Sequence, residues 1–329
     1  MPIAALDRFT LEHCPAPADD FATSVRAGLT AAPKRLEPRF FYDELGSALF
    51  DAICTLPEYY VTRAETEVLA MHADDMAAAF PSPARLVELG SGTARKTRLL
   101  LDAVLRRQRT LDYAPVDVDA VTLEKTGRAL LGEYDRLRVH AVSADFRDPA
   151  CAFAVLPPAA RTVVLFLGST IGNLDPGEAA GMLRNLRTAL TPGDALLLGV
   201  DLRKAKTVLE PAYDDPLGVT AAFNLNLLQR INRELGGHFA LHRFAHLAFY
   251  DQEAGRIEMH LVARERMGVR IDALDLDVAF EEGETIHTES SWKHDEASVA
   301  ALAGESGFAV EKRWMDGRGY FADVLLVAV

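Results

Sequence analysis

The segment "LVELGSGTARKTRLLLDAV", residues 86–104, sets an acid and two close glycines, Glu88, Gly90 and Gly92, between an apolar run and a helical pattern. A strand that ends in a tight turn and opens a helix aims backbone N–H groups at an anionic or polar ligand. Two nucleotide fingerprints nearly fit. The phosphate loop G-x-x-x-x-G-K-[ST] finds its Lys96-Thr97 but meets Arg95 where the second glycine belongs. The dinucleotide loop G-x-G-x-x-G loses its third glycine to the same Arg95. What survives is acid-x-G-x-G after a strand, and two glycines alone do not name a ligand.

The elements around the loop narrow the choice. From residue 85 onward, apolar strand patterns alternate with helical ones: "RLVEL", "LDYAPVDVD", "LRVHAVSADF", "RTVVLFLGS" and "DALLLGVDL" are the strands. Continuous apolar strands alternating with helices make a parallel sheet covered on both faces. "DPGEAAGMLRNLRTAL" reads as a helix with Asp175 as its cap and Pro176 in its first turn. At the C-terminus "GFAVEKRWMD" and "YFADVLLVAV" flank a short "GRG" loop, the pattern of an antiparallel hairpin. The fold class is therefore α/β, and five parallel strands plus a terminal hairpin resemble the Rossmann-like sheet of S-adenosylmethionine-dependent methyltransferases. That resemblance implies S-adenosylmethionine as the ligand of the Glu88–Gly92 loop.

Other strand ends fit this expectation. Asp117 or Asp119, about 25 residues past the loop, stands where an acid binds ribose hydroxyls. Asp145-Phe146 ends the third strand and suits the adenine amine and ring face. Lys96 either reaches the cofactor's methionine carboxylate or is a solvated helix lysine. "GSTIGNLDP" follows the fourth strand, near the reacting methyl, and its Asn173 is either a turn residue or an amide that holds a polar substrate.

Between the fifth strand and the hairpin lie roughly 105 residues, far beyond a normal crossover. They hold a helix, "TAAFNLNLLQRINREL", and three strand patterns, "FALHRFAHLAFYD", "RIEMHLVARERM" and "LDLDVAFEEGETIHTE". These imply a second, α+β substrate-binding domain of residues 1–65 and 202–293, beside a methyltransferase domain of 66–201 and 294–329. A second domain near the strand C-termini is where a substrate cleft forms. His238, His242 and His246 recur every four residues, the spacing of a metal-binding helix face. Apolar residues alternate with them, so they read as the polar face of a strand, and no metal site is expected. Met259 alternates with Ile257 and Leu261 and faces a core or a pocket wall.

Composition excludes several classes. The chain has 329 residues, 49% hydrophobic and 25% charged, with a formal net charge of −13. Nucleic-acid binding needs a basic footprint that this balance lacks. No apolar run approaches the ~20 residues of a membrane helix, and no signal pattern opens the chain. Cys14, Cys54 and Cys151 are few and far apart, which points to reduced thiols in the cytoplasm. A monomer is the default expectation.

One family matches most of the chain. "FYDELGSALFDAICTLPEYYVTRAE", "VELGSGTARKT", "FLGSTIGNLDP", "AYDDPLGVTAAFN", "INREL", "RIEMHL" and "IHTESSWK" together resemble the L-histidine Nα-methyltransferases of ergothioneine biosynthesis, over about residues 35–329. The resemblance implies three successive methyl transfers to free L-histidine, through its mono- and dimethylated forms, to hercynine. It implies that Tyr60 in "PEYY" lines the substrate pocket, with Tyr59 as the alternative. Gly168 and Asn173 would meet the substrate's amino-acid end, Tyr213 its carboxylate, Glu289 and Ser291 its imidazole, and Met259 would pack beside the ring. Gly90, Lys96, Asp117, Asp145 and Phe146 would contact the cofactor. Competing readings are an N-methyltransferase of another amino acid or small amine, and a non-catalytic binder of the cofactor.

Overall fold

"RLVEL" forms the strand Arg85–Leu89 with all five residues buried, as expected of the centre of a sheet covered on both faces. In the computed structural model, which describes residues 8–14 and 21–329, it lies in an eight-stranded sheet. The strand order is Phe9–His13, Leu137–Ser143, Leu111–Asp117, Arg85–Leu89, Thr162–Phe166, Ala195–Asp201, Phe321–Ala328 and Phe308–Met315. Phe321–Ala328 pairs antiparallel with both its neighbours, and the other pairings are parallel. Successive strands therefore diverge to either side of Arg85–Leu89, which makes its C-terminal end the switch point where such sheets bind ligands.

The sheet has six parallel strands where the sequence pattern suggested five. The extra one, Phe9–His13, pairs with Leu137–Ser143 at the edge. It belongs with the sheet and not, as expected, with the second domain. Its five residues alternate and stay partly exposed, so they carry none of the continuous apolar signal that marks the inner strands. The same pairing corrects the expectation of three reduced thiols. Cys14 follows the edge strand and donates its N–H to the Ser143 carbonyl, which brings it to Cys151, and the two form a disulfide across 137 residues of sequence. Cys54 is not in a disulfide.

The chain forms two compact units. The first comprises the Phe9–His13 strand, Arg63–Leu202 and His294–Val329. Its core is built from inner-strand residues such as Val87, Val116, Val164, Phe166 and Leu198, packed against Met182, Leu183 and Leu186 of the helix Pro176–Thr188. That helix begins as its sequence suggested, after Asp175, whose N–H is received by Glu178 at 3.0 Å.

The second unit comprises residues 21–62 and Arg203–Lys293. A four-stranded sheet, in the order Lys34–Arg35, Thr285–Trp292, Arg256–Ala263 and Phe244–Asp251, packs against the helix Val219–Leu235. The three strand patterns read from sequence resolve into five strands, because Met267–Ile271 and Leu276–Phe280 form a separate hairpin. Asp43 caps the helix Glu44–Ile53 by accepting the Gly46 N–H at 2.7 Å, and also accepts from Asn226 at 2.7 Å and Arg233 at 2.6 Å. No helix among the described residues is long and apolar enough to cross a membrane.

Candidate active site

In the first unit the glycine loop is built differently from the expected N–H cradle. Gly90 and Ser91 donate their N–H groups to the Val116 carbonyl, at 2.8 and 3.2 Å, and Gly92 donates to Asp117 Oδ2 at 2.9 Å. The donors that would hold a phosphate are thus spent on the neighbouring strand. Both glycines lie in the left-handed region, at φ +70° and +48°, and a Cβ on either would meet no protein atom within 4 Å. Backbone conformation, not crowding, calls for glycine here, and the space over the loop stays open.

Glu88 fixes the loop from beneath. It is buried, accepts from Thr97 Oγ1 at 2.7 and 2.8 Å and from the Tyr113 hydroxyl, and burial pushes its carboxyl up to about 7. Both its oxygens face protein groups, so what Glu88 fixes is the shape of the loop. Asp117 lies at the next strand end, and its other oxygen accepts the Asp119 N–H at 3.1 Å. Asp119 turns away to cap the helix Ala120–Glu133, which separates the two acids that the sequence left open. Asp145 is engaged by Arg147, at 2.5 Å at the closest approach, while the Phe146 ring rests against Phe166 with centroids 5.4 Å apart.

A buried acid that the sequence reading missed, Glu65 on the helix Val61–Ala79, ties these parts together. It is wholly buried, pairs with the Lys96 ammonium and accepts the Gly168 N–H at 2.5 Å. Gly199 is a glycine for this reason: a Cβ there would fall 2.5 Å from Glu65 Oε1. Asp323 lies beside the same glycine, and among the described residues neither of its oxygens has a hydrogen-bond partner. Burial pushes its carboxyl up to about 8 against the pull of Lys96. Gly168 at φ +80° and Ser169 at +56° turn the chain out of the sheet, and Ser169 Oγ accepts the Asp201 N–H at 2.9 Å to hold that turn. The turn ends at Asn173, half-buried, whose side-chain amide makes no hydrogen bond among the described residues.

In the second unit a bulge decides which side chains point inward. The pairing of Thr285–Trp292 with Arg256–Ala263 slips by one residue between His287 and Glu289. Past the slip, Glu289 stands opposite Met259 and Ser291 opposite Ile257, on the face that carries the buried Ile286 and Leu261. Without the extra residue, Thr288, the period of two would send Glu289 and Ser291 to the opposite face. Trp292 falls on that opposite face, with Arg256 4.8 Å from its ring centre.

On the inner face the hydroxyls of Tyr213 and Ser291 are 2.8 Å apart, and Lys293 Nζ donates to each at 2.8 Å. Tyr213, Glu289, Ser291 and Lys293 are all buried. Burial pushes the Glu289 carboxyl up to about 7, although the Lys293 charge pulls it down. Of the two tyrosines in "PEYY", Tyr59 lies with this cluster: its ring is 6.1 Å from that of Tyr213, and burial, then Tyr213 and more weakly Glu289, raise its hydroxyl. Tyr60 turns to Lys204, which donates to its hydroxyl at 2.8 Å.

The histidine series does not form one face. His238 and His242 precede the strand Phe244–Asp251, and His238 pairs with the exposed Asp272. His246 is buried, with Asn224 at Nδ1 and the Tyr213 carbonyl at Nε2, 2.9 and 2.8 Å away. Burial lowers its pKa, so it stays neutral, donates from Nε2 and anchors the Tyr213 backbone. No group of three potential metal ligands occurs among the described residues.

One family spans both units. The model of the histidine-specific, S-adenosylmethionine-dependent methyltransferases matches residues 21–328. The chain belongs to that family. It is 46% identical over 310 residues to the histidine N-alpha-methyltransferase of Mycolicibacterium smegmatis, covering 94% of this chain and 95% of that one. It is also 46% identical over 297 residues to the Mycobacterium tuberculosis protein of the same name, covering 90% and 91%. Ergothioneine biosynthesis protein 1 of Neurospora crassa is 30% identical over 293 residues, which are 88% of this chain and 32% of that longer one.

Proposed function

We propose that the chain transfers methyl groups from S-adenosylmethionine to the α-amino nitrogen of L-histidine, three times in succession, to give hercynine in ergothioneine biosynthesis. The observation that carries the substrate is the buried acid and hydroxyl on one strand face, Glu289 with Ser291, walled by Met259. A neutral imidazole offers one N–H and one acceptor nitrogen. A carboxylate and a hydroxyl are the partners those two atoms need. The names of the relatives support the same substrate.

The first unit suits the methyl donor. S-adenosylmethionine supplies an electrophilic sulfonium methyl. In this reading Asp117 takes the ribose hydroxyls, the open space over Gly90 and Gly92 the nucleoside, and the Phe146 face with Asp145 the adenine. Lys96, held by Glu65, sets a positive charge near Gly168 for the methionine carboxylate. Asn173 offers an uncommitted amide to the polar end of the amino acid. The enzyme's task is to hold an unprotonated amine in line with the S–CH₃ bond, and positioning of this kind lowers a barrier by several kcal/mol, ~7–11 in favourable cases.

The test is turnover with S-adenosylmethionine on a panel of free amino acids. Histidine is expected to react with the highest kcat/KM, and phenylalanine and tryptophan far more slowly. Preference for another amino acid or for a small amine would replace histidine as the substrate. Absence of turnover on any of them, with the cofactor bound, would leave a binding protein.

A further inference from the structure

The Cys14–Cys151 disulfide stands outside the groups assigned to substrate and cofactor, yet it closes on the loop that carries two of the cofactor candidates. Cys14 follows the edge strand Phe9–His13, whose partner Leu137–Ser143 runs parallel to it. Both strands therefore end at the same edge of the sheet, the one at which such sheets bind ligands. There the Cys14 N–H donates to the Ser143 carbonyl at 2.9 Å, and the Cys14 sulfur is bonded to Cys151 in the helix Pro149–Val155. One residue thus holds both feet of the loop 144–150, which contains Asp145 and Phe146. We propose that the Cys14–Cys151 disulfide is a reversible clamp on this loop, and that its reduction by a dithiol weakens the binding of S-adenosylmethionine.

The other bonds of the loop are local. Arg147 donates its N–H to Asp145 Oδ1 at 2.9 Å, and Asp148 donates to the Asp145 carbonyl at 3.0 Å. Ala144 donates to the Asp117 carbonyl at 2.9 Å. These bonds shape the turn at Asp145 and tie its start to the neighbouring strand. The helix that follows buries Pro149 and Ala152 and packs against the helix Pro176–Thr188, so it keeps a seat when the disulfide opens. The edge strand keeps one too, because Arg8 at its start donates to the Leu131, Tyr134 and Leu137 carbonyls. Reduction therefore releases a tether and leaves the unit folded. A loop tied at fewer points samples more conformations, and apparent affinity falls with the fraction of the protein in the binding conformation.

The chemistry is thiol–disulfide exchange. Both cysteines are half-buried, so the bond is not sealed in the core. A thiolate of the dithiol attacks one sulfur, the Cys14–Cys151 bond breaks, and the other cysteine leaves as a thiolate that takes up a proton. The second thiol of the dithiol then displaces the first cysteine from the mixed disulfide. The dithiol ends as a disulfide, oxidised by two electrons with loss of two protons, and the two cysteines end as thiols.

The role rests on S-adenosylmethionine as the ligand of the first unit, and the experiment separates the two. The protein is titrated with S-adenosylmethionine by calorimetry when oxidised, after reduction with dithiothreitol, and after reoxidation, with thiols counted in denaturant at each stage. Cys14→Ser is measured beside it with and without dithiothreitol. Expected are one thiol, Cys54, in the oxidised protein and all three cysteines as thiols after reduction. The dissociation constant should rise roughly 3-fold or more on reduction and return on reoxidation. Cys14→Ser should show the weaker value under both conditions, while histidine KM at saturating S-adenosylmethionine stays near that of the parent. Should Cys14→Ser not fold, the reduced parent carries the same comparison. Equal dissociation constants for oxidised and reduced protein would overturn the clamp. So would three free thiols in the oxidised protein, or a bond that dithiothreitol leaves intact in the folded one. Oxidised protein that does not bind S-adenosylmethionine would overturn the cofactor reading instead.

Discussion

Glu289 and Met259 stand directly opposite each other on adjacent antiparallel strands, and the one-residue slip at Thr288 is what brings them face to face. A polar residue and an apolar one thus share a buried surface that in regular register would carry Met259 without Glu289. Glu289→Ala should lower kcat/KM for histidine by about 1.5–3 kcal/mol, roughly 10–100-fold, with cofactor affinity nearly unchanged. It should also narrow the gap between histidine and ring amino acids that lack the imidazole N–H, because the buried acid no longer goes unpaired beside them. Steady-state kinetics on histidine, phenylalanine and tryptophan check both outcomes. A variant that matches the parent on all three removes Glu289 from the site.

Glu289 also predicts a pH dependence. Burial sets its ionisation near 7, so the carboxylate that accepts the imidazole N–H forms as pH rises through that value. Histidine KM should therefore fall from pH 6 to pH 8. Free imidazole titrates at about 6.5, in the same window, so the parent profile mixes two groups. Glu289→Gln removes one of them, and its profile should retain only the substrate's own step. Identical profiles for parent and variant would show that Glu289 does not titrate in the site.

Asp117 has two duties, one to the loop and one proposed for the cofactor. Its two oxygens accept the Gly92 N–H at 2.9 Å and the Asp119 N–H at 3.1 Å, and the proposed cofactor role gives their remaining lone pairs to ribose hydroxyls. Asp117→Ala should weaken S-adenosylmethionine binding by roughly 10-fold or more. Calorimetry that returns the parent dissociation constant would exclude it from the cofactor site.

Glu65 joins Lys96 to the Gly168 N–H inside the first unit. Its replacement by alanine strands a donor and a charge, a loss of about 3–5 kcal/mol for a buried pair. Glu65→Ala is expected to lower the unfolding free energy by that order and to weaken cofactor binding together with it. Glu65→Gln, which keeps the acceptor for Gly168, should be less severe. Denaturant unfolding of the two variants checks the order.

Asp43 carries a stability prediction for the second unit. Burial pushes its carboxyl up, but the bonds from Arg233, Gly46 and Asn226 outweigh burial and hold it below the ordinary carboxylate range. A lowered folded value means that its stabilisation is complete above the unfolded value, about 3.9, and disappears as pH falls through the folded one. Asp43→Ala should cost about 0.5–2 kcal/mol at neutral pH, as for loss of a helix cap, and the gap to the parent should close below pH 4. A gap independent of pH would assign the loss to packing alone.

The parts that were legible in the sequence are those with a local signal. Buried parallel strands announce themselves as unbroken apolar runs, and the loop at Gly90 and Gly92 by its spacing. The edge strand Phe9–His13 has no such run, and so the Cys14–Cys151 pairing that depends on it was invisible as well. The Thr288 bulge leaves no compositional mark, yet it decides which way Glu289, Ser291 and Lys293 point. Glu65 and Lys293 were missed because each works through a long-range partner: Gly168 lies 103 residues from Glu65, and Tyr213 lies 80 from Lys293. Tyr59 and Tyr60 likewise differ in surroundings only through long-range partners, Tyr213 for the first and Lys204 for the second.

The central claim is that histidine is methylated at its α-amino nitrogen until no N–H remains. It is tested most directly by incubating the protein with L-histidine and excess S-adenosylmethionine and following the products by mass spectrometry over time. Mono- and dimethylhistidine should rise and fall in turn while the trimethylated betaine accumulates, with fragmentation placing every methyl on the α-nitrogen. Accumulation of a monomethyl product alone, or methyl groups on the imidazole ring, would contradict it.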